Sequence, residues 1–214
     1  MPAITYGQPG QTLDRAPVNG DAARSRRGAF FERRVAAAID RWLKRRADTV
    51  HVFHDLTNFT KVKGAKLDEI DLGHSNIDHL LLTGRGWVML DAKGCGAGTL
   101  KVDGNGKGIL IDAAGNVRPQ PWMDDLHSYS RAGAAYRLTG GKPGAAVWVV
   151  PEETGYDQSI AEARFAERGA TILNIKELAE GALDGLEPLI FPVSEADPKD
   201  IARLRRHVAA ETTQ

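Results

Sequence analysis

Asn76-Ile77-Asp78-His79-Leu80-Leu81-Leu82-Thr83, a Gly84-Arg85-Gly86 break, and then Trp87-Val88-Met89-Leu90-Asp91-Ala92-Lys93 form the stretch that decides the fold. Two short apolar runs, Ile77 to Thr83 and Trp87 to Ala92, have the length of strands, and the glycines between them suit a tight hairpin connection. Apolar side chains fall on both faces, so the pair predicts a sheet covered on both sides. The period of two puts Asp78 on the face of Leu80 and Leu82. It puts Asp91 and Lys93 together on one face while Leu90 and Ala92 point away. A carboxylate in that apolar setting must be paired, hydrogen-bonded or metal-bound, because its ionised form loses hydration there. The ordinary alternative for Asp78 is a strand-end acid that bonds a nearby loop.

Upstream, Phe31, Val35, Ala38 or Ile39, and Trp42 recur at helical spacing, with Arg34, Arg41 and Arg45 on the other side. This predicts an amphipathic helix. Glu32 aligns with Val35, Ile39 and Leu43 and so borders the apolar stripe, where it either pairs with a neighbouring arginine or serves a site. Residues 1–27 are rich in Gly, Pro, Asn, Asp and Arg without a sustained hydrophobic period, the composition of a flexible arm. Val50 to Leu56 has strand character, and Thr57 to Ser75 suits a long loop.

Downstream, Thr99 to Val102 and Gly108 to Asp112 flank the turn sequence Asp103-Gly104-Asn105-Gly106 and predict a second hairpin. Trp122 to Leu138 follows Pro121 as a helix, and Ala145 to Val150 reads as a buried strand. Further expectations are a helix over Ile160 to Arg168, a strand over Ala170 to Leu173, and a helix over Ile175 to Leu183. A basic helix over Pro198 to Val208 closes the chain. The order of elements fits an α/β fold with one main core: an arm at 1–27, a core domain at 28–150, and an α/β extension at 151–214 packed on it.

The chain has 214 residues, 42% hydrophobic and 26% charged, which is enough to bury a core of useful size. Lys plus Arg equals Asp plus Glu at 28 each, so charge must be read locally. From Arg24 to Arg46 nine basic side chains face only Glu32 and Asp40, which makes a helix face attractive to phosphate or simply well solvated. Cys95 is the only cysteine, which excludes an internal disulfide and a cysteine-based zinc site. No export signal or long apolar run appears, so a cytoplasmic protein with no membrane partner is expected.

If the two central strands pair through the Gly84 to Gly86 turn, Asp78 and Asp91 approach at one end of the sheet. Two carboxylates there repel unless a cation sits between them, and Mg²⁺, a hard ion that prefers oxygen ligands, is the natural candidate. Glu32 on the opening helix, Asp78 in a strand and Asp91-Ala92-Lys93 ending the next strand resemble the PD-(D/E)XK nuclease superfamily. More narrowly, Gly28-Ala29-Phe30-Phe31-Glu32, Asn76 to Leu82 and Gly86 to Gly94 resemble the NERD, or nuclease-related, domain, over about Arg27 to Val150. The sequence departs from that pattern at Ile77, which replaces a proline, and at Asp91, where a glutamate with one more methylene is usual.

The resemblance implies a restriction-endonuclease-like fold, a central mixed β-sheet flanked by helices, and DNA as substrate class; the residues alone do not distinguish DNA from RNA. The expected chemistry is phosphodiester hydrolysis by a Mg²⁺-activated water, with Mn²⁺ as an alternative ion. Asp78, Asp91 and the Ala92 carbonyl would hold the first ion, Glu32 would complete that shell through water or help hold a second ion, and Lys93 would orient the water and stabilise charge on the phosphoryl oxygens. An endonuclease is favoured over an exonuclease, and a homodimer suits two-strand cleavage. The alternatives are a noncatalytic nucleic-acid-binding or assembly module on the same fold and an enzyme for small phosphate esters.

Other signals carry less. His51, His54, His74 and His79 lack metal-site spacing, and His79 should face away from Asp78. Gly94-Cys95-Gly96-Ala97-Gly98 lacks the lysine and hydroxyl residue of a phosphate loop. His127, Ser130 and Arg131 lie where related nucleases carry a substrate-positioning residue, with nothing to select among them. Arg203, Arg205, Arg206 and His207 either solubilise the last helix or touch phosphate.

Overall fold

A computed structural model describes residues 3–15, 21–57, 76–123, 127–157, 160, 170–186 and 195–209. Its strands are β1 (Ile4–Tyr6), β2 (His51–Leu56), β3 (Ile77–Leu82), β4 (Trp87–Ala92), β5 (Gly98–Val102), β6 (Gly108–Ile111), β7 (Val117–Pro119), β8 (Gly144–Val150), β9 (Thr154–Tyr156) and β10 (Ala170–Asn174). Its α-helices are α1 (Gln11–Arg15), α2 (Ala22–Leu43), α3 (His127–Leu138), α4 (Ile175–Glu180) and α5 (Pro198–Arg205), with short 3-10 turns at Pro121–Met123 and Ala182–Leu186. Six strands form the main sheet in the order β1-β2-β3-β4-β8-β10. The β2-β3-β4 meander is antiparallel, while β1, β8 and β10 join parallel to their neighbours, so the sheet is mixed.

Every residue of β3, and all of β4 except Ala92, is buried, as expected for strands covered on both faces. One face packs Phe31, Val35, Ile39 and Trp42 of α2 and Leu178 of α4 against Leu81, Val88, Leu90 and Val147. The other packs Ala134, Ala135 and Leu138 of α3 and Leu204 of α5 against Leu80, Leu82, Met89 and Trp148. The result is a three-layer α/β/α arrangement with the hairpin at its centre.

α2 begins at Ala22, capped by Asp21 through the Arg24 N–H, well before the first large apolar residue of its stripe. Its early inward positions, Ser25 and Ala29, are small and buried. Gly10 lies against Ala29, where a Cβ on the glycine would collide with the helix backbone. Residues 3–15, within the segment expected to be an arm, thus form β1 on the sheet edge and α1 against α2. The second hairpin forms as expected from β5 and β6, and β7 and β9 extend it into a separate four-stranded sheet, β7-β6-β5-β9. The expected helix from Trp122 is interrupted: Pro121–Met123 makes a 3-10 turn and α3 starts at His127. The helix expected from Ile175 ends at Glu180, where Gly181 takes a left-handed φ of 111°. The expected loop over 58–75 and nearly all of the expected helix over 160–168 lie outside the described residues. Among the described residues no helix is long and apolar enough to cross a membrane.

The β4–β8 pairing depends on one glycine. The Trp87 indole, fixed by its Nε1–H to the Lys142 carbonyl (2.9 Å), lies flat over Gly144, opposite it in the register. A Cβ on Gly144 would lie 2.1 Å from two carbons of the indole ring. Gly144→Ala is therefore expected to destabilise the fold by roughly 3 kcal/mol, the upper range for overpacking, read as a lower denaturant midpoint with an unchanged m-value.

Candidate active site

The register that sets His79 opposite Leu90 makes Asp78 and Asp91 the next cross-strand position at the end of the hairpin. Both are buried. Asp78 Oδ2 accepts from the Ala92 backbone N–H at 2.7 Å, so part of its charge is tied to the neighbouring strand. Asp91 Oδ2 receives the Lys93 ammonium at 2.8 Å and an Arg131 guanidinium nitrogen at 3.4 Å. Arg131, on α3, also donates to the Asn76 carbonyl (3.1 Å) and so links α3 to the entrance of β3.

Glu32 enters from the opposite layer, on the inward stripe of α2, only 4% exposed. The Gly10 backbone N–H donates to its carboxylate. Its Oε2 is buried with no hydrogen-bond partner among the described residues, an expensive condition for an ionised oxygen. Burial first, then the charges of Asp78, Asp55 and Asp91, push the Glu32 carboxyl up to about 10. Burial and then Asp91 push Asp78 up to about 8, against the opposing pull of Arg131, Lys93 and the Ala92 amide. Glu32, Asp78 and Asp91 thus sense one another, and the two cations beside Asp91 do not neutralise all three.

Asp55 at the end of β2 holds the N-terminal segment in register with this site. It accepts from the Thr12 backbone N–H and from Thr12 Oγ1 (2.8 Å) on one side, and from Asn76 Nδ2 (2.9 Å) on the other. Asp55 is fully buried and is the one non-glycine residue with positive φ, 53°, among the described residues. A strained backbone at a buried acid marks a position fixed by its surroundings.

Glu32, Asp78, Asp91, Ala92 and Lys93 all line one cleft of about 590 Å³. Arg24, Ser25 and Arg27 of α2 form one wall, Leu13 of α1 closes an end, and Gln120, Pro121 and Trp122 form the far wall. Trp122 Nε1–H donates to Gln120 Oε1 (2.9 Å), and the Lys93 ammonium lies 5.8 Å from the Trp122 ring centroid. The histidines stand apart. His54 and His79 share a 2.8 Å Nδ1 to Nδ1 contact in the core, and burial lowers His54 to about 4 and His79 well below its ordinary value. His51 meets the Tyr6 hydroxyl at 3.1 Å. His74 lies outside the described residues, as do the side chains of His127 and Ser130. Arg205 stacks on Tyr6, and Arg203 pairs with Asp200, so both serve the fold.

The donor set is oxygen throughout, with an orphaned Glu32 oxygen and two carboxyls held above their ordinary range, which suits a hard divalent cation. Among the described residues no three His, Cys, Asp or Glu side chains already close into a coordination shell; Lys93 and Arg131 compete for Asp91. Sequence reasoning singled out Glu32, Asp78, Asp91, Ala92 and Lys93 but did not select Arg131 and passed over Asn76, Asp55, Gln120 and Trp122. Trp122 stands at the start of the helix expected after Pro121, with no polar or charged signal to set it at a site.

The chain matches no known protein family, curated protein or solved structure in comparisons with each.

Proposed function

We propose that the chain is a metal-dependent nuclease of the restriction-endonuclease-like, NERD-related type, acting on phosphodiester bonds in nucleic acid, with DNA as the leading substrate. The observation that carries this reading is that Glu32, Asp78, Asp91 and Lys93, drawn from a helix and two strands, line one cleft with cations on its walls. The order α2, β2, β3, β4, α3, β8, with β5, β6 and β7 inserted before α3, supports this reading.

Asp78, Asp91, the Ala92 carbonyl and Glu32 would hold Mg²⁺ or Mn²⁺. Such an ion supplies Lewis acidity toward a phosphoryl oxygen and makes water a stronger nucleophile at neutral pH. Lys93, fixed beside Asp91, donates to the attacking water or to the oxygens on which negative charge grows. Arg131 orients Asp91 through two nitrogens while its bond to Asn76 keeps it from swinging into the cleft. Arg24 and Arg27 attract the phosphates that flank the reacting one.

The test is cleavage of closed circular DNA, linear DNA and RNA with Mg²⁺ or Mn²⁺ by wild type, Asp91→Ala and Lys93→Ala. Wild type should cut, more slowly with a chelator, and both variants should be severely impaired. Opening of the closed circle assigns endonuclease action, and equal rates in all three proteins would reject the site. A second reading, a noncatalytic binding module, is favoured by one observation: Asp91 is already engaged by Lys93 and Arg131. It predicts tight binding without cutting under every metal condition.

A further inference from the structure

The catalytic cleft does not end at α2. Arg27 and Gly94 line it and also line a second groove, which contains Arg34 and Phe30. Arg34 is shared with a third groove that holds Arg41 and Arg45, and Arg45 with a fourth beside Arg46. Three depressions therefore run in series along α2 and a fourth lies at the turn that follows it, each sharing an arginine with the next. At 100° per residue, Arg27, Arg34 and Arg41 fall within about 40° of one another and span about 21 Å at 1.5 Å per residue, and Arg45 follows in the turn after the helix end at Leu43. Arg27, Arg41 and Arg45 are exposed, and none has an ion-pair partner among the described residues. Phe30 lies between the first two arginines of the row and is 62% exposed, the most exposed of the large hydrophobic side chains among the described residues.

An arginine row alone is an ordinary solvated helix face. A series of adjoining depressions along it, beginning at a cleft that suits phosphodiester chemistry, with an exposed ring among the guanidiniums, is a path for a strand. Bases in a duplex are stacked inward and have no use for a ring set at the level of the phosphates, whereas unpaired bases stack on such rings. Glu153 in the second groove and Glu152 and Glu180 in the third belong to other elements, so they repel the phosphates toward the helix.

We infer that the outer side of α2 is a track for single-stranded nucleic acid, leading from the cleft along Arg27, Arg34, Arg41 and Arg45, with Phe30 as a base-stacking platform. The inference rests on the nucleic-acid reading of the cleft and adds the form of the substrate and its route.

Arg41→Ala/Arg45→Ala and Phe30→Ala alter exposed side chains away from the proposed catalytic groups. Binding would be followed by fluorescence anisotropy, in chelator to prevent cutting, for single strands of roughly 4 and 16 nucleotides and a duplex of the greater length. For the long single strand, the arginine variant should lower the slope of log K against log salt by about 1.4, two contacts at roughly 0.7 each. Phe30→Ala should weaken it by roughly tenfold. Neither variant should affect the short strand, and Phe30→Ala should leave duplex binding unchanged. Wild-type slope and affinity in both variants would overturn the track, and if wild-type protein still cuts, the nuclease reading survives. Equal loss of duplex and single-strand binding would overturn the single-strand assignment. The expected losses in a protein that never cuts would uphold the track and reject catalysis, and no binding by wild type would reject both.

Discussion

Lys93→Met will leave the protein folded and lower its rate of phosphodiester cleavage by roughly two to three orders of magnitude, the usual effect of removing one preorganised donor from a charge-stabilising site. Methionine keeps the length and much of the apolar stem of lysine and removes the ammonium that lies 5.8 Å from the Trp122 ring centroid. Asp91 keeps Arg131 as a partner, so the variant does not leave a wholly unpaired buried carboxylate. The lost function is then the ammonium alone. Lys93→Arg should recover little, because a planar guanidinium competes with Arg131 for the same carboxylate instead of presenting a compact charge to water. Single-turnover cleavage at saturating protein separates the rate from binding. Wild-type rates in Lys93→Met would move the reaction to another part of the molecule.

The second large effect concerns stability. Glu32→Gln will stabilise chelator-treated protein at alkaline pH. The Glu32 carboxyl is raised to about 10 in the fold, by burial and by Asp78, Asp55 and Asp91, whereas in the unfolded chain it ionises near its ordinary value. Between those limits the unfolded state has released a proton that the folded state keeps, so stability falls as pH rises. The advantage of the glutamine should accordingly widen as pH rises from about 5 toward 10, by at least about 2 kcal/mol. Its amide hydrogens can donate to the neighbouring carboxylates, which a carboxylate at that position cannot do. Mg²⁺ should act in the opposite sense: at about a hundred times its Kd it raises wild-type stability by roughly 2.7 kcal/mol and raises the variant much less. Denaturant midpoints across that pH range, with and without metal, check both. A pH-independent difference between the proteins would mean that Glu32 is not the strained acid.

The centre of the fold was legible because its signal is local. Ile77 to Thr83 and Trp87 to Ala92 are apolar on both faces with glycines between them, and they form the paired, doubly covered strands. Asp78, Asp91 and Lys93 were legible for the same reason, since a charge in an apolar strand stands out. Glu32 was detectable from helical phase alone. Residues 3–15 were not legible: three residues of β1 have no strand periodicity to read, and their pairing with β2 comes from tertiary contact across the whole of α2. The start of α2 was hidden because its buried residues there, Ser25 and Ala29, are small, and Gly10 packs against Ala29. Arg131 could not be chosen among its polar neighbours, because the choice depends on Asn76 and Asp91, 55 and 40 residues away in sequence. Trp122 fitted a helical phase, but the chain there turns in a 3-10 segment that sends it to the cleft.

The docking of Thr12 on Asp55, and of Gly10 on Glu32, has a consequence for the order of assembly. The meander and its covering helices hold nearly all of the apolar interior, so they can gather without help from the first fifteen residues. Those residues must then return across the nascent domain before the acid on α2 gains its amide donor and Asp55 its threonine. The beginning of the polypeptide in this way acts as a latch on the acids of α2 and β2, with Gly10 supplying an amide to Glu32 and Thr12 two donors to Asp55.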